Sequence, residues 1–271
     1  MAMRARNVPV MGPQGFVNLA YWDWEGPPGA PVVLCVHGLT RNGRDFDALA
    51  AALSDEFRVV CPDMPGRGAS DWLGDTAGYN FPFYLAAVDW VGTSMGGLIG
   101  MLFAGLRNAP VRRLVLNDIG PLVAKEGLTR IGETIGADPG FSSRDELEAH
   151  LRENYAGFGP LTDTQWRQLA AHSGRTRGDG RLGLAYDPKI GDPFKAEPPT
   201  DVDFWPFYDR LRCPTLVLRG AESDLLRAAD FAAMAERGPR ARGIQFPGIG
   251  HAPALMAPDQ IAPIREFLAA P

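Results

Sequence analysis

A hydroxyl between two glycines is the first feature able to do chemistry. Gly92-Thr93-Ser94-Met95-Gly96 follows the β-branched and aromatic run Val88-Asp89-Trp90-Val91 and precedes the apolar, helix-forming segment Leu98 to Ala104. Strand, sharp turn and helix in that order hold the central residue in a strained backbone and lift its hydroxyl clear. The flanking glycines lack the Cβ atoms that would collide in such a turn. A serine held this way becomes a nucleophile for acyl transfer once a base takes its proton. The N–H of Met95 would face the negative charge that develops on the acyl oxygen. A glycine-rich turn with an ordinary serine has the same letters, so the rest of the chain must supply the partners.

The base candidate is His251, in Gly248-Ile249-Gly250-His251-Ala252-Pro253. It follows the last strand-like run, where the ligands and catalytic groups of open α/β sheets gather. An acid must then orient the imidazole, and three carboxylates compete. Asp224 ends Gly220-Ala221-Glu222-Ser223-Asp224, which follows the strand before; Glu222 lies two residues away, and Asp118 ends an earlier strand. The chain order Ser94, Asp224, His251 matches the serine–acid–histidine order of one hydrolase arrangement, and Asp224 is the acid expected here. His37-Gly38-Leu39 follows another buried strand and offers the Leu39 N–H as a second donor to the oxyanion, beside Met95.

The elements that must position these groups alternate. Val8–Val10 and Phe16–Trp24 read as an antiparallel pair around a turn at 11–15. Val32–Val36, Phe57–Cys61, the run before Ser94, Val111–Asp118, Thr215–Gly220 and Gly243–Phe246 read as strands. Their unbroken apolar runs suit parallel strands buried on both faces. Helical spacing over Phe46–Leu53, Leu225–Arg237 and Asp259–Ala269 completes a βα alternation and a mostly parallel sheet. From Gly120 to about Asp203 the pattern changes to amphipathic helices at Leu128–Ile135, Arg144–Tyr155 and Asp163–His172, with Ser143 and Thr162 as N-caps. Residues 175–199 are polar, rich in Gly and Pro, and read as loop.

Composition bounds the functions. The 271 residues suit one large α/β domain with a small insertion. A net charge of −5 leaves no basic footprint for nucleic acid. No run reaches the roughly 18 apolar residues of a membrane span. Without a secretion signal, cytoplasmic residence is the default. Three cysteines (Cys35, Cys61, Cys213) read as small buried hydrophobes, and four histidines lack metal-ligand spacing, so no metal is expected.

His37-Gly38, Asp63-x-Pro65-Gly66-x-Gly68-x-Ser70, Gly92-x-Ser94-x-Gly96, Gly220 to Asp224 and Gly250-His251 together resemble the α/β-hydrolase superfamily over nearly the whole chain. The resemblance implies an α/β-hydrolase fold: a mostly parallel central sheet flanked by helices, with an inserted helical cap. It places the core at 1–120 and 204–271 and the cap at 121–203. It also implies a catalytic Ser94–Asp224–His251 triad, an oxyanion hole at Leu39 and Met95, and no cofactor. A serine at the elbow argues against the epoxide hydrolases and haloalkane dehalogenases, which carry aspartate there. The expected activity is hydrolysis of a carboxylic ester of a small, largely apolar substrate. C–C bond hydrolysis, lactone opening and a non-catalytic ligand-binding role remain as alternatives. Six aromatics in or beside the inserted block, Phe141, Phe158, Trp166, Phe204, Trp205 and Phe207, suggest an apolar acyl pocket.

One departure stands out. Only Asp71 to Ala87 joins the strand ending at Cys61 to the strand before Ser94, too little for a full crossover helix. Apolar side chains around Val59 and Val91 are then expected to lie exposed on one sheet face, unless 81–85 or a second subunit, in a homodimer, covers them.

Overall fold

A computed structural model describes residues 3–12, 15–73, 88–107, 109, 111–196 and 198–270. The shortened crossover falls largely at 74–87, outside the described residues. The chain opens with β1 (Met3–Gly12) and β2 (Gly15–Trp24), which pair antiparallel. Next come β3 (Val32–Val36), a 3-10 turn at Gly43–Phe46, α1 (Asp47–Leu53) and β4 (Arg58–Pro62). β5 (Val88–Thr93), α2 (Met95–Ala104) and β6 (Val111–Asn117) follow. An inserted stretch then carries β7 (Leu122–Val123), α3 (Lys125–Thr134), α4 (Arg144–Asn154), α5 (Asp163–Ser173), β8 (Gly174–Thr176), β9 (Leu182–Leu184), α6 (Asp192–Ala196) and β10 (Val202–Asp203). The chain ends with α7 (Trp205–Tyr208), β11 (Thr215–Gly220), α8 (Ala228–Met234), β12 (Arg242–Phe246) and α9 (Pro258–Ala269).

Eight of these strands form one sheet in the order β1-β2-β4-β3-β5-β6-β11-β12. From β4 to β12 every neighbouring pair is parallel, and β2 meets β4 antiparallel. The unbroken apolar runs follow from burial on both faces. Val33 and Cys35 point to a cluster with Leu49 and Leu53 of α1 and Ile264 and Leu268 of α9. Leu34 and Val36, one residue out of phase, join Met101 of α2, Tyr208 and Met234 on the other face.

The expected exposure around the crossover does not occur at the residues named. Val59 and Val91 are fully buried, because α1 and α9 lie on their face. On the opposite face Trp90 is buried and Val60 half-buried. Cys35 and Cys61 are buried as small hydrophobes, while Cys213 is half-buried.

The inserted stretch has its own core. Phe141, Leu147, Leu151, Trp166, Leu169 and Tyr186 pack together, with Met256 from the loop before α9. Ser143 caps α4 by accepting from the Glu146 N–H, and Thr162 and Gln165 form a reciprocal capping box on α5. Each such cap is worth about 0.5–2 kcal/mol. The segment read as loop is partly ordered: β8 and β9 form a hairpin closed by a hydrogen bond from Arg177 N to Arg181 O. Arg175 and Arg177 anchor it on Asp138. Three-residue strands are too short to show an alternation in sequence. Among the described residues, no helix is long and apolar enough to cross a membrane.

Candidate active site

Ser94 sits between β5 and α2 with φ 51 and ψ −117, a conformation that bulky residues avoid. The glycines on either side are required. A methyl at Gly92 would overlap the Gly96 carbonyl, and one at Gly96 would overlap that of Val36. The turn is braced from within: Trp90 Nε1 donates to Gly96 O at 2.9 Å and Ser94 N to Asn117 O at 3.0 Å.

His251 comes from the loop after β12, and its Nε2 lies 2.9 Å from Ser94 Oγ. Its Nδ1 lies 2.7 Å from a carboxylate, and that carboxylate is Asp118. The residue favoured from sequence, Asp224, does not reach the histidine. It is half-exposed and held by a two-point pair with Arg130 of α3, Nη2 to Oδ1 at 2.9 Å and Nε to Oδ2. Burial pulls the Asp224 carboxyl upward, and the Arg130 contacts outweigh that and hold it below its ordinary value. Asp118 directly follows β6, the neighbour of β5 in the sheet, and its φ of 54 turns it toward the loop of His251.

The loop after β11 still reaches the site, through other groups. Ser223 Oγ donates to Asp118 Oδ2 at 2.5 Å, and the Gly220 N–H donates to Oδ1 at 2.8 Å. Leu225 and Leu226 N–H groups point at Ser223 Oγ, so its own proton is directed to Asp118. Asp118 is fully buried and surrounded by three donors. The His251 tautomer follows: Nδ1–H donates to Asp118, leaving Nε2 to accept from Ser94. Asn117 ties the parts together by donating to Thr93 Oγ1 at 3.0 Å and Pro253 O at 2.8 Å. Sequence reasoning missed Ser223 and Asn117, since both are ordinary polar residues beside more eye-catching carboxylates.

Leu39 lies across from the elbow, after β3. Its own peptide plane is pinned because Gly38 O accepts from His37 Nδ1 at 2.6 Å and from Arg41 N at 3.2 Å. Burial drives the His37 imidazole down to about 3, so the ring is neutral, with Nε2 accepting from Met64 N at 2.9 Å.

A cavity of about 360 Å³ opens over Ser94 and His251. Its apolar wall includes Leu39, Ile131, Ile135, Phe158 and Leu184; its polar wall includes Thr40, Arg130, Glu133, Glu153 and Tyr155. Of the six aromatics expected around an acyl pocket, only Phe158 lines it. Phe141 and Trp166 are packed in the inserted core, and Phe204 and Trp205 rest against the sheet core. The pocket is therefore of mixed polarity. Arg41 also faces it, stacked 4.9 Å from the Tyr155 ring centre and paired with Asp45 at 2.6 and 2.7 Å. Among the described residues, no group of three or more His, Cys, Asp or Glu side chains is arranged to hold a metal ion.

The model of the alpha/beta hydrolase family matches residues 33–264. The chain belongs to that family. A protein from Cupriavidus necator named 3-hydroxybutyrate-oligomer hydrolase is 42% identical over 96% of each chain. Among solved structures, an alpha/beta hydrolase from Novosphingobium aromaticivorans superposes with a TM-score of 0.84 at 37% identity, covering 99% of both chains. A putative hydrolase from Rickettsia typhi reaches a TM-score of 0.89 at 27% identity, again over 99% of both.

Proposed function

We propose that the protein is a serine esterase that cleaves ester links in short oligomers of a small hydroxy acid, of the 3-hydroxybutyrate kind, through an acyl-enzyme on Ser94. The observation that carries it is the unbroken hydrogen-bonded chain Ser94–His251–Asp118 beneath the cavity. His251 takes the Ser94 proton at Nε2 as Oγ attacks the acyl carbonyl. Asp118, held by Ser223 and Gly220, keeps Nδ1 protonated and stabilises the imidazolium. The N–H groups of Leu39 and Met95 receive the oxyanion. His251 then returns the proton to the departing alcohol, and water activated by the same nitrogen releases the acid. Residues 121–203 act as the cap, because α3, α4 and β9 all contribute to the cavity over Ser94.

The substrate class rests on two supports. One is the likeness to the Cupriavidus relative over the whole chain. The other is the mixed wall, since an oligoester of short hydroxy acids alternates methyl groups with ester dipoles. A purely aliphatic acyl chain would leave the polar wall unmatched.

The test compares purified protein on 3-hydroxybutyrate trimer and on p-nitrophenyl butyrate. Hydrolysis of both, abolished by roughly 10³-fold or more in Ser94→Ala, is expected. A fluorophosphonate should label Ser94. Nitrophenyl ester turnover without trimer cleavage would remove the oligoester assignment, and labelling at another serine would remove the nucleophile.

A further inference from the structure

Arg67 lies in the loop after β4 and is only 3% exposed. A guanidinium taken out of water needs acceptors, and its position shows which it has found. Nε donates to Leu39 O at 2.8 Å, and Nη1 donates to Pro65 O at 2.7 Å. Nη2 sits 3.7 Å from Met95 Sδ. One planar, fixed-geometry group thus touches both residues that the esterase reading assigns as oxyanion donors.

The loop that presents Arg67 is itself held on both sides. Asp63 Oδ1 accepts from Gly43 N at 2.7 Å, and Oδ2 from Ala69 N at 2.8 Å, which fixes the loop to the sheet core. Gly68 N donates to Ala185 O and Asp187 N to Gly66 O, which fixes it to the inserted stretch. Leu39 is therefore pinned on both sides of its Cα. The preceding carbonyl is held by His37 and Arg41 N, and the following one by Arg67.

We propose that Arg67 is a positioning residue for ester hydrolysis: it ties the loop of Leu39 to the first residue of α2 and so sets the spacing of the two oxyanion donors. This rests on the esterase reading above. Such donors work only when preorganised at hydrogen-bond distance from the developing charge, and a displacement of about 1 Å can cost about 10²-fold. The loss falls on the transition state, so kcat declines while KM moves little.

Two variants test this, Arg67→Met, which keeps length without donors, and Arg67→Lys, which keeps charge without the planar fork. The readouts are kcat and KM on p-nitrophenyl butyrate, inhibition by a trifluoromethyl ketone that forms a hemiketal on the nucleophile, and circular dichroism with thermal melts. The expected result for Arg67→Met is a fall in kcat of roughly 10–100-fold with KM within about threefold. Ketone affinity should weaken by a similar factor, and Arg67→Lys should recover part of both. Folded variants with unchanged kcat and ketone affinity would overturn the proposal. So would a loss confined to KM, or failure of both variants to fold, which would assign Arg67 to stability alone. A parent protein inert to ester and ketone alike would instead overturn the esterase reading.

Discussion

Replacing Asp118 by Asn changes one oxygen to an amide nitrogen and almost nothing in volume. The consequence can be worked from the hydrogen bonds. Oδ2 accepts from His251 Nδ1 and Ser223 Oγ, and Oδ1 accepts from the Gly220 N–H. An asparagine has only one acceptor oxygen. If that oxygen keeps the Oδ2 place, its NH2 faces the Gly220 N–H, donor against donor, in a fully buried site. Leaving a buried donor unmet costs about 1–3 kcal/mol. If the amide turns over, its NH2 faces His251 Nδ1, which must then accept, and the ring proton moves to Nε2. A protonated Nε2 in a neutral ring cannot take the Ser94 proton. The expected loss in kcat approaches 10⁴-fold, about 5.5 kcal/mol of transition-state stabilisation. Asp224→Asn, in contrast, weakens a half-exposed pair with Arg130 worth about 0–1 kcal/mol, and activity should stay within about threefold. Both variants would be assayed on p-nitrophenyl butyrate after thermal melts establish that they fold. A well-folded Asp118→Asn retaining activity, with Asp224→Asn down by about 100-fold or more, would refute the assignment of Asp118.

Further outcomes follow from the same geometry. Ser223→Ala removes a hydroxyl bonded to Asp118 and should lower kcat by roughly 10–100-fold, the worth of a charged hydrogen bond, while a purely structural serine would lower only the melting temperature. Gly96→Ala drives a methyl into the Val36 carbonyl and should cost about 1–3 kcal/mol, lowering the melting temperature by several degrees. Gly38→Ala, whose added methyl would stay 3.7 Å from the nearest atom, Arg41 Cγ, should melt close to the parent; equal melting of both variants would contradict this. His37 supplies a pH test. The unfolded imidazole takes up a proton near 6.5 and the folded one only near 3, so the unfolded state binds more protons between those values. Stability contributed by His37 is full above about pH 6.5 and declines as pH falls, by up to about 1.4 kcal/mol per unit. Urea midpoints from pH 8 to 5 should fall less steeply in folded His37→Gln than in the parent, and parallel slopes would count against a buried neutral ring.

Ser94 was legible because the elbow is made by its neighbours. Gly92, Gly96, the apolar strand and the helix all lie within a dozen residues, and local sterics leave few other uses for that spacing. The parallel sheet was legible for a similar reason, since burial on both faces writes an unbroken apolar run into each strand. Helices α4 and α5 announced themselves through Ser143 and Thr162, whose caps act within one turn. The carboxylate partner of His251 was different in kind. Asp118 and Asp224 both follow strands and both fall between Ser94 and His251 in the chain, so neither order nor local pattern separates them. The choice depends on β6 lying beside β5, on the left-handed turn at Asp118, and on Arg130 of α3 reaching across from distant sequence to occupy Asp224. The aromatics of the inserted block show the same division. Their size favoured apolar contacts, but only the packing of α3, α4 and α5 decided that Phe158 faces the cavity while Phe141 and Trp166 fill a core. Side-chain chemistry is carried by the residue; which partner it meets is set by how separate elements are stacked, and long-range stacking leaves no local trace in the chain.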